Sequence, residues 1–407
     1  MRIVIYGLNY HPDEIGVAKY TTELADWLHS KDYEVVVVTA VPYYPAWRVP
    51  RKYKKFRLFI EVINGVRVYR VPIYVPKYPG GWRRAAHLLS FAFFSAPVLA
   101  FVTLRFRPDI MLTIVPTLLA APVARIIAAF VGCKTWLHVQ DLEIDAALGL
   151  NFLQGRVIQK ILRGIEKLSY SKFDVVSSIS SKMVEKVSKK IGGKQVYIFR
   201  NWVDSRYIFP AEKSINLLRK FHLREDDFIV LYSGNISRKQ GIDLILAAAE
   251  ILRSRRDIVF VIAGDGPAKQ ELTANAHGLT NVVFLPLQPL DTLNDFLNIA
   301  DVHVLPQRAN ASDLVLPSKL TGMMATGKPI VATAPVGSGL ADEIADCGIA
   351  VPPEQPEALA TAILELNRNP QMCRTLGAAA RRYAIDVYDK NNVLSEFSRH
   401  CSELVDE

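Results

Sequence analysis

Residues 312–333 read SDLVLPSKLTGMMATGKPIVAT. The pattern predicts a tight loop ending in Pro317-Ser318-Lys319, a short helix over 319–325, a stop at Thr326-Gly327-Lys328-Pro329 and a buried strand from Ile330. A helix start presents unpaired backbone N–H groups and the positive end of a dipole. Ser318 is placed to cap that start, and Lys319 adds a full positive charge. The stretch is therefore expected either to hold an anion such as a diphosphate or to be an ordinary βαβ turn with a solvated lysine. The rest of the chain has to decide between them.

Outward from it, short β-branched runs alternate with helical periods, the signature of a mostly parallel sheet. Strands are expected at 2–7, 34–40, 109–115, 134–139, 174–178 and 195–199, with a hairpin over 59–71 turning at Asn64-Gly65. Helices are expected at 16–30, 82–104, 117–131, 155–171 and 180–190. The pattern restarts after 201–213, taken as a linker. Strands then follow at 228–233, 258–263, 282–285, 302–305 and 330–334, between helices at 242–253, 268–277, 290–299, 319–325 and 357–367. The expected fold is α/β: two Rossmann-like domains, 1–200 and 214–385, facing across a cleft, with a helical tail over 386–407. In such folds ligands sit beyond the carboxyl ends of the strands.

Charge is unevenly shared. Residues 1–200 carry 29 Lys and Arg against 14 Asp and Glu, and residues 201–407 carry 20 against 26. A basic first half suits an anionic partner: a membrane surface, a phosphorylated substrate or nucleic acid. Nucleic acid is disfavoured because the basic residues form no compact arm or aromatic-interleaved patch. The four cysteines are scattered, with no CxxC, which fits reduced thiols in a cytoplasm. No signal-peptide pattern opens the sequence. Residues 85–104, AAHLLSFAFFSAPVLAFVTL, contain no Asp, Glu, Lys or Arg and are flanked by Arg83, Arg84, Arg105 and Arg107. Three readings stand: a half-buried domain helix, a helix lying on a membrane surface, and a span.

Four clusters carry chemistry. After the first strand, Gly7 and Gly16 permit close backbone approach to a ligand, yet the loop is not GxGxxG and no acid ends the second strand, so a nicotinamide cofactor is disfavoured. His138 ends an apolar strand and is followed by Asp141, Glu143 and Asp145. It could bond a sugar hydroxyl or shuttle a proton with Asp141. One nearby histidine makes a metal site weak. Gly234-Asn235-Ile236-Ser237-Arg238-Lys239-Gln240 follows a strand and brings two cations before a helix, as a phosphate site would, although it is no Walker loop. Gly264-Asp265-Gly266-Pro267 ends another strand in a glycine turn.

In this order the motifs resemble glycosyltransferase family 4, whose members adopt the two-domain GT-B fold. The carriers are the Gly16 loop, His138 with Asp141, Arg200-Asn201-Trp202-Val203-Asp204, the Gly234 loop, Gly264-Asp265-Gly266-Pro267 and Ala325-Thr326-Gly327-Lys328-Pro329. More narrowly the chain is similar to bacterial colanic-acid-type fucosyltransferases, through Tyr6-Gly7-Leu8-Asn9-Tyr10, Pro42-Tyr43-Tyr44-Pro45, Tyr74-Val75-Pro76-Lys77, Val139-Gln140-Asp141, Ser233-Gly234-Asn235-Ile236 and Leu316-Pro317-Ser318-Lys319-Leu320.

The resemblance implies a retaining, metal-independent sugar transfer from a nucleotide-diphosphate donor, GDP-fucose by analogy, to a lipid-diphosphate-linked glycan in exopolysaccharide synthesis. No cofactor is implied. The enzyme would work in the cytoplasm, on the anionic inner face of a bacterial plasma membrane. In family terms Gly16 approaches the donor phosphate, His138 touches the sugar, the Gly234 loop brings positive charge to the diphosphate and the Lys319 loop supplies backbone N–H groups. The residues themselves complete the expected site: His138, Asp141, Lys239 and Lys319 as catalytic candidates, with Lys319 standing in for missing positive charge, and donor contacts at Gly16, Gly234, Asn235, Arg238, Gln240, Gly264, Asp265, Asp313, Leu316 and Ser318. The chain departs from the family where Val17 follows Gly16, where Asn235 and Gln240 stand at loop Arg and Lys positions, and where the paired glutamates are replaced by Gly322 and a position near Leu314, beside Asp313. A nucleotide-sugar 2-epimerase of the same fold, a UDP-sugar transferase and a non-catalytic binding scaffold are the competing expectations.

Overall fold

The computed structural model describes residues 1–13, 16–78, 80–115, 119–142, 156–309 and 316–406, apart from the side chains at 156–159, 161, 162, 165 and 239. Glu143, Asp145 and Asp313, and the side chain of Lys239, therefore lie outside the described residues. The chain divides into two units, Met1–Arg200 with Leu394–Glu407, and Asn201–Val393.

The first unit runs β1 (Arg2–Gly7), α1 (Val17–Ser30), β2 (Glu34–Ala40), β3 (Phe59–Ile63), β4 (Val66–Val71), α2 (Gly81–Phe106), β5 (Ile110–Val115), α3 (Ala120–Val131), β6 (Lys134–Val139), α4 (Arg156–Ser171), β7 (Val175–Ser178), α5 (Ser181–Lys190) and β8 (Tyr197–Ile198). Its sheet is ordered β3-β4-β2-β1-β5-β6-β7-β8. All pairs are parallel except the β3–β4 hairpin, which turns at Asn64-Gly65 with both residues at positive φ. Ile3, Val4, Ile5 and Tyr6 of β1 are all fully buried. That continuous apolar run is what a strand covered on both faces requires.

Helix α2 settles how residues 85–104 are used within the unit. His87, Phe91, Ala92, Ser95, Leu99, Val102 and Thr103 are buried, with Phe91 stacked on Tyr6 of β1 at 5.3 Å and Ser95 bonded to the Tyr6 hydroxyl at 2.6 Å. A helix that supplies one face to a sheet's core cannot also be ringed by lipid. The span reading gives way to a half-buried helix whose other face is exposed, although among the described residues α2 is the one helix long and apolar enough to cross a membrane.

The second unit runs α6 (Ile215–Lys220), β9 (Phe228–Ser233), α7 (Ile242–Ile251), β10 (Ile258–Ala263), α8 (Lys269–Asn275), β11 (Val282–Leu285), α9 (Leu293–Asn298), β12 (Val302–Leu305), α10 (Lys319–Ala325), β13 (Ile330–Thr333), α11 (Gly339–Glu343), β14 (Gly348–Val351), α12 (Pro356–Arg368) and α13 (Pro370–Tyr388). Its sheet is wholly parallel and ordered β11-β10-β9-β12-β13-β14. This is the doubly wound order, in which the crevice between the first strand and the strand after the crossover, here β9 and β12, is where ligands bind. The two-residue period of β9 feeds a core on each face: Ile229 and Leu231 enter one, Val230 and Tyr232 the other.

Two expected boundaries differ. Residues 201–213 are packed parts of the second unit, because Trp202, Val203 and Ile208 are buried. Val203 also forms a bridge with Asp389: its N–H donates to Tyr388 O, and Lys390 N–H donates to its carbonyl, both at 2.9 Å. The expected tail over 386–407 is helical, the end of α13 followed by α14 (Lys390–Asp406), but from Leu394 onward it joins the first unit. Phe397 lies against Phe199 at 4.5 Å and Trp136 at 4.8 Å. Strand β14 and helices α6 and α11 are additional to the expected set.

Candidate active site

In the second unit, β9 and β10 end side by side and their loops are laced together. Gly234 N–H donates to Ala263 O at 2.9 Å, Ile236 N–H to Asp265 O at 2.8 Å and Ala268 N–H to Ile236 O at 3.1 Å. The glycines make this approach possible. Gly264 has φ +150°, and a Cβ there would lie 1.8 Å from the Gly234 carbonyl oxygen. At Gly234, φ is +146° and a Cβ would come 3.1 Å from Lys319 Nζ. The two glycine motifs, separated by a strand and a helix in sequence, thus form one paired loop at the edge of the switch point.

Lys319 is directed into that edge. Its amino group donates to the Tyr232 hydroxyl at 2.8 Å, reaches Gln240 Oε1 at 3.4 Å and lies 4.0 Å from the centre of the Tyr232 ring. Burial lowers its pKa from 10.5 to about 7. Lys319, Gly234 and Gln240 are therefore brought together. Tyr232, which holds the lysine, was missed: as a strand aromatic it reads as core, and only the return of α10 beneath β9 reveals its hydroxyl.

Other expected donor residues stand differently. Arg238 forms an exposed bidentate pair with Glu271, at 2.9 and 3.1 Å, so it is turned toward α8, in a pair that contributes little to stability. Asn235 and Asp265 are exposed at the loop tips. Tyr232 also donates to the Asn235 carbonyl at 2.7 Å, and Asp265 accepts from Gly266 N–H at 2.8 Å. Ser318 does not cap α10: it already has helical φ and ψ and its side chain makes no capping bond. Leu316 is half-buried against the core below. Arg308, also missed, pairs with Asp243 at 2.7 Å and donates to the Arg238 carbonyl at 3.4 Å, bracing the loop from outside.

In the first unit, Gly16 precedes α1 at φ +63° with open space where a side chain would be. His138 is 2% exposed. Its Nδ1 pairs with Ser177 Oγ at 3.0 Å and its ring lies 4.7 Å from Phe199. Burial lowers its pKa to about 3, so at physiological pH the imidazole is uncharged and a weak base, which disfavours the expected proton shuttle with Asp141. Hydrogen bonding to a sugar hydroxyl needs no such charge.

The sequence reading also passed over Asp13. It is 7% exposed, and burial raises its pKa from 3.8 to about 6, against hydrogen bonds from the Asn9 side chain and the Tyr44 and Tyr43 backbone and the charge of Arg70. The runs Tyr6-Gly7-Leu8-Asn9-Tyr10 and Pro42-Tyr43-Tyr44-Pro45 thus converge on one carboxyl. Tyr44 has a raised pKa, through burial, with Arg84, Asp141 and Asp13 as the charges acting on it. Asp13, Tyr44 and Asp141 follow β1, β2 and β6, so they share the carboxyl edge of the sheet. Among the described residues no group of three or more His, Cys, Asp or Glu could hold a metal ion.

Known proteins share this architecture. Residues 214–383 match the family described as glycosyl transferases group 1, and residues 16–202 match the glycosyl transferase 4-like domain. The sequence is 38% identical over 409 residues to the putative colanic acid biosynthesis glycosyl transferase WcaI of Escherichia coli (strain K12), covering 98% of each chain. Among solved structures, it is similar to sucrose-phosphate synthase from Thermosynechococcus elongatus, with a TM-score of 0.77 at 17% identity over 99% of both chains. It is also similar to Anabaena Alr3699/HepE in complex with UDP, with a TM-score of 0.70 at 14% identity over 99% of this chain and 100% of that one.

Proposed function

The chain belongs to the glycosyltransferases, with the group 1 and family 4-like domains of the GT-B fold, and from that premise we propose a retaining transfer of a sugar from a nucleotide-diphosphate donor, bound by the second unit, to a lipid-diphosphate-linked glycan bound by the first. The observation that carries this reading is the placement of Lys319, pinned on Tyr232 and Gln240 beside the paired glycine loops at the β9–β12 switch point. As the anomeric C–O bond breaks, negative charge grows on the departing diphosphate. Fixed donors aimed at developing charge are usually the largest catalytic contribution. The acceptor hydroxyl forms the new glycosidic bond on the same face and gives its proton to the diphosphate oxygen that leaves, so bonds and charge balance without a metal. Asp13, Tyr44 and Asp141 would hold acceptor hydroxyls, and neutral His138 would orient a sugar.

The name of the Escherichia coli relative supports a role in exopolysaccharide synthesis, and GDP-fucose is the donor by family analogy. The UDP complex of the Anabaena protein supports a UDP-sugar as the second reading. The 2-epimerase reading is not carried forward, since the matching families and the full-length relative are transferases by name. The exposed face of α2 suits attachment to the inner surface of a bacterial plasma membrane, where such an acceptor resides. The test is Lys319→Ala assayed on a lipid-diphosphate acceptor after a binding screen of UDP, GDP and their sugars. Turnover should fall at least about a hundredfold with the fold intact; near-normal turnover removes Lys319 from the mechanism.

A further inference from the structure

Beside the Asp13 edge, the ends of β2 and β4 open into a cavity of about 600 Å³, within the range of small-ligand sites. Val41 and Ile73 line its inner part, Trp47 and Phe56 form a wall, and Arg48, Lys54, Lys55 and Lys77 also line it. All four cations are exposed, and none has an ion-pair partner among the described residues. Among the described residues no carboxylate lines the cavity. The neighbouring Glu61 is already satisfied by Lys52 at 2.5 Å and Arg70 at 2.7 Å. Burial pushes the Glu61 pKa up, but these partners and Tyr53 outweigh it and hold it at about 2. Four uncompensated cations around an apolar hollow repel one another, and an anion with several charges relieves that repulsion.

The wall continues into α2. The Phe56 ring meets Phe94 edge-on at 4.9 Å, and Trp47 lies 5.3 Å from His87 with the Arg84 guanidinium 5.8 Å from its ring. Along the outer face of α2, Trp82, Leu89, Phe93, Phe101 and Leu104 are all more than half exposed. Phe130 of α3, a helix packed beside α2, is 82% exposed. A free phosphate ligand would need no such stripe, and a bilayer alone would need no cavity. An amphiphile with a polyanionic head uses both.

We propose that this cavity is the headgroup site for the acceptor's lipid diphosphate, held by Arg48, Lys54, Lys55 and Lys77 while the hydrocarbon chain enters the bilayer beside α2. The assignment rests on the lipid-linked acceptor of the proposed function. It predicts a preference for one headgroup over mere surface charge. In flotation assays, the full chain should bind neutral phosphatidylcholine vesicles containing a few mole per cent polyprenyl diphosphate more tightly than vesicles carrying equal charge as phosphatidylglycerol, by roughly tenfold or more. Lys54→Ala/Lys55→Ala and, separately, Arg48→Ala should erase most of that preference. These side chains are exposed, and an unchanged melting temperature verifies the fold. Equal binding at matched charge, or a preference that survives both variants, overturns the site. Transfer to acceptor dispersed in detergent is measured in parallel. Transfer without the headgroup preference rejects the site and leaves the function standing. The preference without transfer from any nucleotide sugar keeps the site and rejects the function.

Discussion

Two titratable side chains, one in each unit, sit at the carboxyl edge of their sheet with the charged form disfavoured by burial. Lys319, with a pKa of about 7, is mostly neutral at pH 8 and charged at pH 5.5. A diphosphate favours the ammonium form, so donor binding should take up close to one proton at about pH 8 and almost none at about pH 5.5. Calorimetry in buffers of different ionisation enthalpy reads this directly, and Lys319→Met should abolish the difference. Asp13 works with the opposite sign. Its folded pKa of about 6 exceeds the ordinary 3.8, so the folded state holds more protons between these values and stability falls as pH rises through them. The full cost, at most about 3 kcal/mol, stands above pH 6. Asp13→Asn should therefore raise the melting temperature relative to the wild type more at pH 8 than at pH 5, while lowering turnover, because a costly buried carboxylate is kept for its function. Lys319 was legible because it closes a loop before a helix. Asp13 was not, because the Tyr43 and Tyr44 N–H groups that mark it come from a different strand end. The neutrality of His138 was equally hidden, since Phe199 beside it lies far along the chain.

At the level of elements, the parallel strands were readable from their unbroken β-branched runs, and α7 and α12 from their apolar period. The paired glycine loops were readable only as two separate weak motifs. What joins them is the 1.8 Å gap that a Cβ at Gly264 would have to share with the Gly234 carbonyl. Gly264→Ala should push the loops apart, lower the melting temperature and weaken nucleotide binding by about tenfold or more, as strained glycine replacements do; titration of nucleotide into the purified variant measures it. Strand β14 and helix α11 escaped because four or five residues are too few to show a period. The apolar character of 85–104 was plain in the sequence, but which face it buries depends on Tyr6 and the strands beneath it.

For the whole molecule, the restart of the α/β pattern near residue 200 was visible as a repeat of architecture. The return of the last helix to the first unit was not, because its partners Trp136 and Phe199 lie about 200 residues or more upstream. Phe397 is 2% exposed, and Phe397→Ala should cost about 3–5 kcal/mol. Hydrogen exchange should show the loss as faster exchange in β6 and β7, with β9 and β10 unchanged. That helix also sets an order on synthesis. A ribosome releases residues 1–200 long before 394–406, so the first unit waits for a piece made after all of the second. During translation the later unit can finish first, while the earlier one stays incomplete until residues 394–406 have followed.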